Sequence, residues 1–513
     1  MASVLCSDCG TPNSQATKFC IECGTQMALR AEREAPRVPA FAADSPLLAF
    51  FLEEQTGTRA QLRTLAIALL IFLFAFGGYF LSTHLYPEEN LSLRWITPLS
   101  RYTFYADLAE ALNHGSLDLT KAGIAPESHP DLLTKDGHVY LPYQPMPGVL
   151  LMPFVAMFGQ GSTQITFSMF LGAINVVLLW YVLRLLGVGR TTKLLLIPFF
   201  AFGTANFYSA STGTLWFYNH TTALFFLMLA IVFLLRRDNP LLPALCLGAA
   251  ALSRQPTILA VPAFIYFMIE QRNPGVLNRI HPGEMASGLI QMQMSRLGEL
   301  WHQAVEAVRD AARDARVRSA VGVFLGTLVP FGIISLWYNE VRFGSLFDTG
   351  LDDIYNKYNG VAYTQYLAAG ATERFAQFDF RNIPIHLYTI FLQPPIFTTD
   401  GTMFRPSEFG MSVLLTSSPL VFAAFARRRD PLKTACWLAL ILIPIPTLMY
   451  YSAGWVQYGY RYIMDYLPFL MILTAFGFED NQSRTSFRIK VILIVLSIAL
   501  GFWGRYWGTR LGW

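Results

Sequence analysis

The chain has 513 residues, of which 53% are hydrophobic and only 14% charged, with a formal net charge of +4 and a positive mean hydropathy. That balance excludes an ordinary soluble domain, and so small a positive excess leaves no footprint for a nucleic-acid partner. The composition is that of an integral membrane protein.

At the N-terminus, Cys6, Cys9, Cys20 and Cys23 form two C-x-x-C pairs, each followed by a glycine, Gly10 and Gly24. Thiolates at this spacing close a tetrahedral zinc site on two tight knuckles. A segment this short cannot bury a sufficient core, so the metal would supply most of its folding free energy. The alternative, two disulfides, needs an oxidising compartment. Residues 28–61, rich in Ala, Pro, Arg and Glu, read as a flexible linker between this ribbon (1–27) and the membrane domain.

Apolar runs of spanning length, about 17 to 25 residues each, recur near 62–83, 163–186, 191–210, 215–235, 319–338, 411–426, 433–451, 461–478 and 489–506. Two shorter runs between Pro240 and Glu270, broken at Ser253-Arg254-Gln255-Pro256, read as a helical hairpin with a polar turn. The expected fold is therefore an all-α polytopic membrane protein of about eleven transmembrane helices. Basic clusters at Arg184 to Lys193, Arg236 and Arg237, 271–318, Arg427 to Lys433 and Arg484 to Lys490 mark one face as cytoplasmic. That puts the N-terminus inside, and the C-terminus and the polar loop 84–161 outside, in the cytoplasmic membrane. No cleavable signal peptide is visible, so the first span reads as a retained anchor.

Within the outer loop, RYTFYADLAEALNH from Arg101 to His114 spaces Tyr105, Leu108 and Leu112 as one helical face, with Gly115 as a stop. DGHVYLPYQPMPGVLLMPFVAMFG follows from Asp136 to Gly159. Its second half is too short and proline-broken to cross and reads as a second juxtamembrane helix. The stretch 271–318, ending in ELWHQAVEAVRDAARDARVR, is an amphipathic cytoplasmic helix suited to the membrane surface or to a protein partner, the ribbon included. Asp348, Asp352 and Asp353 are ligand types for a divalent cation at the outer site, or a solvated acidic patch.

Taken together, these segments resemble two known families. CSDCGTPNSQATKFCIECG resembles the zinc ribbons at the ends of many prokaryotic membrane proteins. From 62 to 510, the order of first span, outer loop with two juxtamembrane helices and later spans resembles the GT-C glycosyltransferases, in particular the protein-mannosyltransferase and aminoarabinose-transferase branch. LSRQPTILAVP at Leu252–Pro262, YNEVRFGSLFDTG at Tyr338–Gly350 and GYRYIMDYLPFL at Gly459–Leu470 are similar to that family's later motifs.

The resemblance implies an inverting transfer of sugar from a polyprenyl-phosphate donor to a lipid, glycan or protein acceptor outside the membrane. An acceptor hydroxyl needs a carboxylate as general base, and the departing phosphate needs cationic donors. Glu88, Glu89 and Asp107 are the candidate bases. In the place where the family carries its acidic pair, this chain has Ser100-Arg101-Tyr102. Arg254 and Arg461 are the leading phosphate binders, with Arg101, Tyr140, Tyr143 and Arg405 behind them. For Arg461 an i, i+4 ion pair with Asp465 is the competing reading. The rival classes are a catalytically inactive relative that scaffolds the envelope and a transporter, although no internal repeat of the transporter kind is present.

Overall fold

The computed structural model describes residues 3–5, 12–14, 58–84, 102–161, 163–236, 239–279, 294–357, 375–398, 404–428 and 430–513. The chain divides into two units, Met1–Ile67 and Ala68–Trp513. In the first, β1 (Ser3–Leu5) and β2 (Pro12–Ser14) pair antiparallel, with Val4 opposite Asn13. Cys6, Cys9, Cys20 and Cys23 lie outside the described residues, as do Glu88, Glu89 and Arg101.

Helix α1 (Thr58–His84) is followed in the outer loop by α2 (Phe104–Asn113) and α3 (Met146–Phe158), the two short helices expected there. Gly115 takes a left-handed φ of 70°, which suits a stop just past α2. Between α2 and α3 lies a small hairpin, β3 (Leu133–Lys135) and β4 (His138–Tyr140). Asp118 clamps it, accepting from Val139 N at 2.9 Å and contacting His138 Nδ1 at 2.8 Å. The expected surface helix α2 is packed more deeply than a surface role requires. Tyr105, Leu108 and Ala109 are fully buried against Leu151 of α3 and Tyr218. Gly148 permits that approach, since a Cβ there would sit 2.8 Å from Leu108 Cδ2.

The rest runs α4 (Thr163–Leu185), α5 (Arg190–Phe202), α6 (Ala205–Thr212), α7 (Leu215–Arg236), α8 (Leu241–Ala251), α9 (Val261–Arg272), α10 (Met294–Arg313) and α11 (Ala315–Phe343). Then come α12 (Leu351–Lys357), α13 (Ile383–Phe391), α14 (Val413–Thr416), α15 (Pro431–Leu442), α16 (Pro444–Met449), α17 (Leu467–Asp480) and α18 (Arg484–Arg510). A second core gathers Leu227 and Ile231 of α7, Leu247 of α8, Phe264 of α9, Phe324 of α11, Ala439 of α15 and Phe476 of α17. By contrast, α11 turns Val329, Ile333 and Trp337 outward, an apolar face suited to lipid rather than water.

Among the described residues six helices are long and apolar enough to cross a membrane, or seven if the bent pair α5 and α6 is one span. The chain is thus a helical membrane protein, but helices of spanning length do not reach the expected eleven. The 191–210 run bends by 44° at Gly203-Thr204, where the Thr204 side chain accepts from Asn206 N and starts a new helix. The 411–426 run is one turn of α14 followed by a 3-10 segment, Ser418–Phe425. The 461–478 run opens as a 3-10 helix, Arg461–Asp465, before α17. The hairpin between Pro240 and Glu270 has the expected form, α8 and α9 around a turn and a 3-10 segment, Gln255–Ala260.

Candidate active site

Several distant stretches of chain converge on one cavity of about 380 Å³. The first two turns of α7 present Trp216, Asn219 and His220, which the i, i+3, i+4 spacing puts on one helix face. The turn after α8 presents Ser253 and Arg254. It is tied to the start of α3 because Met146 N donates to Leu252 O at 3.0 Å. The outer loop contributes Asp131, Tyr143 and Gln144, and the segment before α17 contributes Trp455, Arg461 and Tyr462. Gln457 shapes that last segment: its amide donates to Phe409 O and Ala453 O, and its oxygen receives Arg461 N.

Arg254 forms a bidentate pair with Asp465, Nε to Oδ1 at 3.2 Å and Nη2 to Oδ2 at 2.9 Å. The same carboxylate receives His220 Nδ1 at 2.9 Å. Asp465 is therefore saturated, its charge balanced by the guanidinium. Arg461 does not make the competing i, i+4 pair with it. The two residues stand in a 3-10 helix of three residues per turn, so positions four apart point 120° from each other. Arg461 instead donates from Nη1 to Trp455 O at 3.0 Å, and its buried Nε has no partner among the described residues. Its guanidinium carbon lies 5.5 Å from the Trp216 ring and 5.3 Å from Tyr462, while that of Arg254 lies 5.4 Å from the same tyrosine. Tyr462 is thus within cation–π reach of both guanidiniums, one neutralised by a carboxylate and one held by carbonyl and π contacts.

Of the expected acids, Asp107, on α2, does not line the cavity, and Glu88 and Glu89 lie outside the described residues. Burial pushes the Asp107 carboxyl up to about 7, which describes a desolvated acid in a packed helix. Among the described residues the acidic side chain lining the cavity is Asp131, only 1% exposed. Its N–H donates to His129 Nδ1 at 3.1 Å. Burial and the nearby Lys357 lower the His129 pKa, so that ring is a neutral acceptor. Tyr143 lines the cavity and accepts from Trp216 Nε1 at 3.1 Å. Tyr140 and Arg405 do not: Tyr140 packs edge-on to Phe343, and Arg405 sits opposite Ile396 in a two-residue hairpin.

Asp131 escaped the sequence reading because it is one carboxylate in an aperiodic, proline-bearing loop. His220 carried a usable signal, an ionisable side chain inside an apolar run of spanning length. Asp348 Oδ1 accepts from Gly350 N at 2.8 Å. No group of three His, Cys, Asp or Glu side chains suited to a metal ion occurs among the described residues.

No protein-family profile matches the chain, and no curated protein does. Among solved structures it is similar to the Archaeoglobus fulgidus oligosaccharyltransferase in its apo form, at 13% identity and a TM-score of 0.41, over 85% of this chain and 56% of that one. It is also similar to the archaeal oligosaccharyltransferase AglB of A. fulgidus in complex with an inhibitory peptide and a dolichol-phosphate, at 12% identity and a TM-score of 0.42, over 87% and 56%. A third, the A. fulgidus enzyme tethered to an acceptor peptide containing the NVT sequon, gives 13% and 0.42 over 85% and 55%. The chain spans little more than half the length of these structures. At such values the likeness assigns neither residues nor an activity.

Proposed function

We propose that the chain is a GT-C type glycosyltransferase that moves a sugar from a polyprenyl-phosphate donor to a lipid, glycan or protein acceptor on the outer face of the cytoplasmic membrane. The observation that carries this reading is the meeting of Arg461 and Arg254 around Tyr462 in a cavity whose wall also holds Asp131. Both arginines come from segments on which the sequence resemblance rests, LSRQPTILAVP and GYRYIMDYLPFL. Aromatic walls at Trp216, Tyr450, Tyr451 and Trp455 suit the apolar faces of a sugar ring.

In this mechanism Asp131, a carboxylate of the outer loop, takes the proton of the acceptor hydroxyl. The acceptor oxygen bonds to the anomeric carbon from the face opposite the phosphate, and the anomeric configuration inverts. The bond from that carbon to the phosphate oxygen breaks, and the lipid phosphate leaves with the electron pair. Arg461 binds the developing negative charge, with Arg254 behind it. Asp131 replaces Asp107 as the proposed base. Glu88 and Glu89, outside the described residues, are tested beside it.

At the other end of the chain, Cys6, Cys9, Cys20 and Cys23 hold a structural zinc on the cytoplasmic side. The paired C-x-x-C spacing, each pair followed by a glycine, supports this. Zinc content of the purified protein, against a variant with all four cysteines changed to serine, tests the site. Sugar transfer by protein reconstituted in vesicles, across a panel of polyprenyl-phosphate sugars, tests the activity. Transfer abolished by Asp131→Asn supports it, and absence of transfer from every donor favours a scaffold.

A further inference from the structure

The mechanism above leaves His220 unused, although it is one of the most constrained groups in the cavity wall. It is 1% exposed, and its Nδ1 lies 2.9 Å from Asp465 Oδ1. Asp465 also takes both arms of Arg254 and is therefore an acceptor at each oxygen. An imidazole lone pair facing that oxygen would be repelled, so Nδ1 carries the hydrogen and Nε2 carries the lone pair. Nε2 is buried and has no hydrogen-bond partner among the described residues, and His220 lines the cavity. A buried acceptor left unsatisfied costs free energy unless something bound supplies the donor.

Two roles compete for such a nitrogen. An aspartate behind an imidazole stabilises the imidazolium when a base takes a proton, but here the charge of Asp465 is already balanced by Arg254. A second cation beside Arg254 and within the same wall as Arg461 would be poorly supported. The network is built to fix one tautomer and keep the ring neutral.

We infer that His220 Nε2 is a fixed hydrogen-bond acceptor for a hydroxyl of the sugar whose phosphate is held at Arg461, which makes His220 a specificity residue for glycosylated over bare polyprenyl phosphate. The inference rests on the glycosyltransferase reading and deepens it. The arrangement complements a ligand with two ends. An anion meets the unpartnered Nε of Arg461, and a hydroxyl donor meets the unpartnered Nε2 of His220. A phosphate oxygen, having no hydrogen to give when ionised, satisfies the first and not the second.

Binding of undecaprenyl monophosphate and of its glucosyl, mannosyl and galactosyl phosphodiesters to the full chain in detergent micelles tests this. His220→Asn is the informative variant, because the Asn amide can still donate to Asp465 in place of Nδ1 while nothing replaces Nε2. The native protein is expected to bind at least one glycosylated lipid more tightly than the bare lipid. His220→Asn should erase about tenfold of that preference and leave the bare lipid unaffected, whereas Arg461→Gln should weaken both classes. A preference that is absent in the native protein, unchanged in His220→Asn, or lost through equal weakening of bare and glycosylated lipids overturns the assignment. Failure of the native protein to bind any of the four lipids counts instead against the glycosyltransferase reading, and takes this inference with it.

Discussion

Arg254 and Asp465 meet as a two-pronged ion pair across 211 residues of sequence, and this pair fixes the geometry on both sides of the cavity. It joins the turn after α8 to the 3-10 segment before α17 and, through His220, to the first turns of α7. Breaking one side leaves a buried charge without its partner. Asp465→Ala is expected to destabilise the protein by roughly 3–5 kcal/mol, read as lower thermal stability in detergent. Arg254→Met combined with Asp465→Leu should recover much of that loss, since no charge is then stranded.

Arg461 should behave oppositely. Its cavity-facing charge is held by a carbonyl and aromatic rings rather than an ion pair, so Arg461→Gln should change the melting temperature little. Under the proposed mechanism it should lower sugar transfer by about 100-fold or more. A variant that melts early and transfers normally would reverse the roles assigned to the two arginines.

Asp107 predicts a pH dependence of stability. Its carboxyl, pushed up to about 7 by burial, binds its proton more tightly in the folded chain than in the unfolded one. The stabilisation is fully present below the unfolded value near 4 and is lost as pH rises through 7. Asp107→Asn, which stays neutral, should therefore be more stable than the native protein at pH 8, with the advantage shrinking toward pH 5. Melting curves across that range check it. Transfer should survive the substitution, because Asp107 does not line the cavity.

Arg342 pins the outer loop to α11. It is buried, stacks 3.6 Å from the Tyr338 ring centre and donates to Leu141 O. Arg342→Ala removes a buried donor and a stacked plane together, at a cost of roughly 2–4 kcal/mol. Limited proteolysis should then cut first within 116–145, while the native loop resists.

The parts legible in the sequence were those written locally. The two short loop helices and the α8–α9 hairpin with its polar turn follow from apolar periodicity and proline, Arg254 and Arg461 stand out by the rarity of charge at a membrane boundary, and Tyr143 by the motif that carries the resemblance; all three side chains line the cavity. What sequence could not supply was pairing. Spacing suggested Asp465 as the partner of Arg461, yet the 3-10 geometry of that segment turns Asp465 toward Arg254 and His220. The expected bases were Glu88, Glu89 and Asp107, and Asp131 was not among them. A helix advertises its acid by periodicity, whereas Asp131 reaches the cavity only because the loop folds back through the Asp118 clamp and the β3–β4 hairpin. Six helices of spanning length, or seven with the bent pair, stand among the described residues, because an apolar run of sufficient length does not specify an unbroken helix, as Gly203-Thr204 and the two 3-10 segments demonstrate.

The most direct test of the account is single-turnover sugar transfer from polyprenyl-phosphate donors by the reconstituted native chain and by Asp131→Asn. The account predicts transfer with inversion by the native protein, and a fall of about 100-fold or more in Asp131→Asn, with lipid-phosphate binding retained. Full transfer by Asp131→Asn, or none by the native protein from any donor, would contradict it.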